Sequence, residues 1–185
     1  MMEVINKNPI VFLISGKARH GKDSIANFIK EEYKKIDKKV LNLSFGSYIK
    51  MYAKNISDWD GSDDTKPRAL LQQLGTEIIR NNIDNDFFAH RIYEDIKVYS
   101  YFFDVLTVSD VRFVNEVTKL EKINNRVIKI RVIRSNFTNN LDNNAKKHQS
   151  EIDLDNYNDY DFLINNNGSL IELKNKVSKL VEVIK

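Results

Sequence analysis

The feature that most constrains this chain is Gly16-Lys17-Ala18-Arg19-His20-Gly21-Lys22, set between the apolar run beginning at Ile10 and a helical pattern opening near Lys22. That is G-x-x-x-x-G-K between strand and helix, the arrangement in which backbone N–H groups and a helix N-terminus cradle polyphosphate. The preceding run is β-branched and apolar, as a buried strand requires, and Ile25, Phe28, Ile29 and Ile36 follow at helical spacing. An ordinary glycine turn would also join strand to helix, but it would not demand this context. Lys22 is followed by Asp23, and the hydroxyl that usually meets magnesium comes one residue late, at Ser24. A nucleotide-binding protein is therefore the first expectation.

A chain of 185 residues suits one domain with one sizeable core. The net charge of +3 excludes a strongly basic tail, yet leaves lysines and arginines to cluster around phosphates. Cysteine is absent, which excludes disulfides, thiolate catalysis and cysteine-held metals. No run is long and apolar enough to span a membrane and the N-terminus lacks a leader pattern, so a cytoplasmic protein is expected.

Downstream, Val40 to Phe45 alternates as a strand that Gly46 would end, and Tyr48 to Ile56 reads as a short helix. Asn55 to Pro67 is a polar loop. Arg68 to Asn82 is helical with a kink or break expected at Gly75, and Asn85 to Tyr99 is a further helix. Phe103 to Ser109 reads as a strand ending in Asp110-Val111-Arg112, Asn115 to Ile123 as a helix, and Asn125 to Ile133 as the fourth strand. Asn136 to His148 is asparagine-rich and reads as a flap. Asp161 to Ile164 is a fifth strand, and Ser169 can cap a last helix from Leu170 to Ile184. The expected fold is therefore α/β: a five-stranded parallel sheet covered on both faces, core 8–46 and 102–185, with an inserted helical arm over about 47–100 and a lid over about 135–150.

On such sheets ligands sit at the carboxyl ends of the strands. Gly16 to Lys22, Asp110 to Arg112, Arg134 and Asn165 to Ser169 all follow strands, so one rim should gather them. Phosphoryl transfer needs positive charge and aligned donors where charge spreads. Lys22, read as an exposed loop cation, would bridge the terminal phosphates, with Arg19 and His20 beside it in the loop. Asp110 stands where a carboxylate orients magnesium, and Arg112 can pair with it or reach a phosphate. Arg134 is the better cation of the flap, and Lys146 and Lys147 read as solvated. Gln72, Thr76 and Arg80 recur every four residues, and Arg68 extends the strip by a turn. That strip is either a base-and-phosphate reader or the wet side of an amphipathic helix.

Four segments, SGKARHGKDSIANFI, RALLQQLGTEIIRNNID, VSDVRFVNE and HQSE with the later NNGSLIEL, make the chain resemble the bacteriophage deoxynucleoside monophosphate kinases, within the P-loop kinases that include dephospho-CoA kinase and phosphomevalonate kinase. The resemblance implies an ATP- and Mg2+-dependent kinase acting on a deoxynucleoside monophosphate. Lys22 and the neighbouring backbone of Gly16, Lys17, Ala18, Arg19, His20 and Gly21 would bind the ATP phosphates. Asp23 or Ser24 would hold the metal, and Asp110 with Arg112 would match the family's D-x-R. Arg134 would match an arginine after the fourth strand, Arg68, Gln72 and Arg80 would line the acceptor side, and Asn167, Gly168 and Ser169 would pass near the adenine. A modified base in phage DNA, phosphomevalonate or dephospho-CoA is the alternative acceptor, and a homodimer is open. A GTPase-like switch fits less well: Asp58 to Gly61 matches D-x-x-G and Asn175 to Ser178 only begins like N-K-x-D, but neither follows a strand.

Overall fold

A computed structural model describes residues 5–123, 126–137 and 148–185. Strand β1 (Ile10–Ser15) is the centre of a five-stranded parallel sheet of order β2-β3-β1-β4-β5. The other strands are β2 (Val40–Leu43), β3 (Val105–Val111), β4 (Val127–Ile133) and β5 (Phe162–Asn165). Every residue of β1 is buried, because its alternate side chains enter two different cores. Ile10, Phe12 and Ile14 pack against helices α1 (Lys22–Lys34) and, at the chain's end, Leu170–Ile184. Val11 and Leu13 pack on the opposite face with side chains such as Phe88, Ile92 and Leu120. A run of five apolar residues, Ile10 to Ile14, is what two covered faces demand.

Between β2 and β3 the chain leaves the sheet through α2 (Phe45–Ile56), α3 (Arg68–Gln72), a π-helical segment (Gln73–Ile83) and α4 (Phe87–Tyr99). A third, small cluster of Ala53, Trp59 and Leu74 holds this arm together. After β3 come α5 (Val114–Leu120), β4, the short α6 (Gln149–Ile152), β5 and α7 (Leu170–Ile184). None of the described helices is long and apolar enough to cross a membrane.

Three local expectations change. Phe45 and Gly46 belong to α2 and do not end β2, because the amides of both donate to Asp110 across the sheet. The helix does not break at Gly75; it continues as a π-helix, and the missing side chain is where Ile49 of α2 approaches, 3.0 Å from where a Cβ would stand. Strand β3 runs on through Val111, so Asp110 lies inside it. The boundaries of α4, α5, β4 and β5 shift by one to three residues. Most of the expected flap, residues 138–147 with Lys146 and Lys147, lies outside the described residues, as does Asn125.

Candidate active site at the carboxyl edge of the sheet

The strand order reverses at β1: its connection through α1 leads past β3 to β2, whereas β3 sends its connection through α5 back past β1 to β4. The loop leaving β1 thus opens into the crevice where α/β sheets bind ligands. Sterics dictate its glycines. A Cβ on Gly16 would stand 2.8 Å from the carbonyl oxygen of Val132 on β4, and Gly21 takes φ 99° with Asn166 Nδ2 only 2.6 Å from where its Cβ would be. Arg19 adopts φ 62°, a left-handed conformation unusual for a residue with a side chain. Asn166 Nδ2 donates to the His20 carbonyl at 2.9 Å, and His20 Nδ1 lies 3.3 Å from Val132 O. β4 and the turn after β5 therefore hold the loop from outside. Burial lowers the His20 pKa, so the ring is neutral near pH 7 and acts as an anchor.

Lys22 is buried, at 7% exposure, not an exposed loop cation. Its Nζ donates to the carbonyls of Gly16 at 2.7 Å and Lys17 at 2.9 Å, which poises the ammonium over the loop. Burial first, and then the charge of Arg112, bring its pKa down to about 8. An anion bound in the loop would reverse both effects. Above pH 8, polyphosphate binding should therefore take up a proton, and affinity should fall as pH rises towards about 9. Titration calorimetry in buffers of different ionisation enthalpy reads that uptake; heats independent of buffer would show that Lys22 is charged before the ligand arrives.

Arg112 is brought to the same place from the turn after β3. Its Nη1 pairs with Glu151 of α6 and donates to the Ser150 carbonyl at 3.3 Å. Glu151 Oε2 accepts the Ala18 amide at 3.0 Å, while Lys17 Nζ binds Asp155 at 2.8 Å. Glu151 and Asp155 thus tie the loop to the segment after the flap. Leu154 is buried but Ile152 is exposed and Asp153 accepts the Val114 amide, so no alternation in the sequence marks Glu151 and Asp155 as the pair that meets the loop.

Asp110 is engaged by the start of α2. Its carboxylate accepts Ser44 Oγ at 2.7 Å, Phe45 N at 3.0 Å and Gly46 N at 2.9 Å, capping α2 from across the sheet. Three of roughly four acceptor positions are thereby occupied. Asp110→Ala should cost about 2 kcal/mol, the scale of hydrogen bonds to a charged acceptor; urea denaturation would detect it, and unchanged stability would mean that Ser44 and water cap α2 unaided. Asp23, by contrast, receives one bond, from Ser109 Oγ at 3.0 Å. Ser109 is itself held by Asn42 Nδ2 at 3.2 Å, and Asn42 Oδ1 accepts Thr107 Oγ1 at 2.7 Å.

Arg80 also leaves its expected place. The four-residue spacing still keeps these residues near one face, but that face runs from solvent at its start into the core at its end, where α5 covers it. Arg68 and Gln72 are exposed and Thr76 is half-buried, but Arg80 is 6% exposed. Its guanidinium pairs with Glu116 of α5, donates to Asn85 O at 3.1 Å and stacks 3.9 Å from the ring centre of Phe113. Glu116, at 1% exposure, accepts the amides of Arg112 at 2.8 Å and Phe113 at 3.1 Å through Oε2. The pair therefore fixes the backbone that carries Arg112.

Beside the loop lies a cleft of about 400 Å³ lined by Arg19, Gly21 to Ser24, Arg134, Asn166, Gly168, Leu170 and Leu173. Arg134 stacks on Phe137, 4.5 Å from the ring centre. Of the three residues expected near the adenine only Gly168 lines the cleft: Ser169 caps α7 through Glu172 N at 3.2 Å, and Asn167 Oδ1 accepts Asn136 N at 3.4 Å. Asn166, unassigned from the sequence, takes their place. Arg68, Gln72 and Thr76 lie on the arm, away from this lining.

The fold is that of P-loop kinases. The structure resembles Mycobacterium tuberculosis APS kinase solved with AMPPNP and APS, at TM-score 0.59 and 13% identity, over 95% of this chain and 98% of that one. It also resembles the dephospho-CoA kinase of Campylobacter jejuni (TM-score 0.51, 14% identity, 96% and 98% covered) and a gluconokinase of Sinorhizobium meliloti (0.56, 11%, 96% and 94%). At such identities the likeness is one of fold. A protein of Acanthamoeba polyphaga mimivirus, named provisionally as a deoxynucleotide monophosphate kinase, is 29% identical over 128 residues, which cover 63% of this chain and 61% of that protein. The chain thus spans less than two thirds of that relative. The sequence model of deoxynucleotide monophosphate kinase matches residues 37–177, a range that starts beyond the phosphate loop and takes in the arm, the D-x-R turn and Glu151. With that match over most of its length, and a phosphate loop independent of it, the chain belongs to the deoxynucleotide monophosphate kinase family.

Proposed function

We propose that the protein transfers the γ-phosphoryl group of ATP to a deoxynucleoside monophosphate, giving the diphosphate. The observation that carries this reading is the convergence of Lys22, Arg112 and the Ala18 amide on one point of the loop, next to a cleft large enough for a nucleoside. Lys22 would leave its two carbonyls for the β- and γ-phosphates, and Arg112 would neutralise the charge that spreads over the transferred group. Arg19 and Arg134 flank the cleft, with Leu170 and Leu173 offering an apolar wall to the base. The acceptor would approach from the arm, where Arg68, Gln72 and Thr76 supply polar groups.

Among the described residues no three His, Asp or Glu side chains cluster to enclose a cation. That fits magnesium, which is commonly held by one or two protein oxygens together with phosphates and water. Asp23 and Ser24 line the cleft and fit that donor set, with Ser109 orienting Asp23. Bound there, the ion would offset phosphate charge.

The test is magnesium-dependent ATP consumption against a panel of deoxynucleoside and ribonucleoside monophosphates, with modified DNA included. Diphosphate formation from a deoxynucleotide is the expected result. Consumption that needs no acceptor, or only DNA, would overturn the acceptor assignment.

A further inference from the structure

The carboxylate of Glu151 sits at the point where the loop's donors converge. Oε2 accepts the Ala18 amide at 3.0 Å, Oε1 pairs with Arg112, and the side chain is only 9% exposed. Its negative charge also helps keep Lys22 protonated. An amide at the start of a phosphate loop, a guanidinium and an ammonium are the donor set of a terminal phosphate, and here a carboxylate of the same chain occupies it. We propose that Glu151 is an internal surrogate for the terminal phosphate, which an incoming polyphosphate must displace from Ala18 and Arg112.

The local structure argues for exchange over a fixed brace. The segment carrying Glu151 is anchored without it: Asp153 accepts Val114 N at 2.8 Å, Asp155 binds Lys17 at 2.8 Å and Arg131 at 3.3 Å, and the Ser150 carbonyl accepts Arg112. Without an anion, Lys22 and Arg112 would be left close together and poorly solvated, at a cost that any anion relieves. Glu151 meets that need before nucleotide binds, and a polyphosphate of higher charge meets it better. Part of the ligand's binding energy therefore goes into expelling Glu151, and Arg112 is released only when a phosphate replaces the carboxylate.

This inference rests on the reading of the loop as a phosphate site, and the experiment separates the two. Inorganic tripolyphosphate is titrated by calorimetry into wild-type protein and into the Glu151→Gln, Glu151→Ala and Lys22→Ala variants, with the Ala18 amide followed by ¹⁵N NMR. Removing the competing charge should tighten binding by severalfold, up to about tenfold, the scale of one charge-assisted hydrogen bond. The Ala18 resonance should shift in the unliganded Glu151 variants, and Lys22→Ala should bind far more weakly than wild type. Tighter binding by either Glu151 variant supports the proposal, whereas equal or weaker binding by both overturns it and makes Glu151 a structural ion pair. If wild type does not bind, or Lys22→Ala binds as wild type does, the phosphate-site reading fails and the surrogate with it.

Discussion

Lys22→Ala is expected to lower kcat by about 10²–10³-fold, the effect of removing one preorganised donor from a developing oxyanion. The fold should survive. Lys22 opens α1, alanine has the highest helix propensity, and the lost hydrogen bonds run only to the loop's own carbonyls. Because burial already pulls the ammonium pKa down to about 8, its charge opposes folding. The sign follows from linkage: the folded pKa lies below the unfolded one, so the unfolded chain binds more protons above pH 8 and wild-type stability gains as pH rises from there. The alanine variant should lack that gain. Steady-state kinetics beside urea melts at two pH values would test both points, and wild-type turnover in the variant would take the loop out of the mechanism.

Arg80→Ala is expected to destabilise the protein by about 3–5 kcal/mol, because it leaves a buried carboxylate without its partner. Burial pushes Glu116 up to about 7 even with Arg80 opposing the shift. Removing the arginine raises it further, so the folded variant holds a proton that the unfolded chain, with its carboxyl near the ordinary value, has released. The folded variant then binds more protons than folded wild type only above the wild-type value, so the loss should grow as pH rises from about 7 to about 9. A role confined to acceptor binding would instead raise the acceptor's KM and leave denaturation unchanged. Urea melts across that range separate the two. Since Glu116 also holds the Arg112 amide, kcat should fall in any variant fraction that stays folded.

How much of this was legible in the sequence depended on whether the signal was local. The loop was legible because its glycine spacing is a local pattern and Gly21 takes a positive φ, although the atoms that crowd Gly16 and Gly21 belong to the remote Val132 and Asn166. The parallel sheet was legible because strands buried on both faces read as apolar runs. The burial of Arg80 is not legible locally, because its partner Glu116 lies 36 positions away, and Gly75 reads as a breaker although it admits Ile49. Asp110 reads as a metal ligand because it follows an apolar run, and its cap of α2 is invisible in the sequence. Its partners Ser44, Phe45 and Gly46 are more than sixty positions away.

The sequence by itself determined the class of ligand, since a glycine-spaced loop between a buried strand and a helix offers amides, a helix N-terminus and Lys22 to an anion wherever it occurs. It also determined the order of strands and helices, and with it the rim at which Arg112 and Arg134 would appear. Only the tertiary structure decided the role of each charge. Whether a carboxylate caps a helix, neutralises a buried arginine or fills the phosphate site depends on which donors the fold brings within about 3 Å of it. For Asp110 and Glu151 those donors come from elements remote in sequence, and so does the Arg80 partner of Glu116 beside its two local amides, so no local pattern could name them.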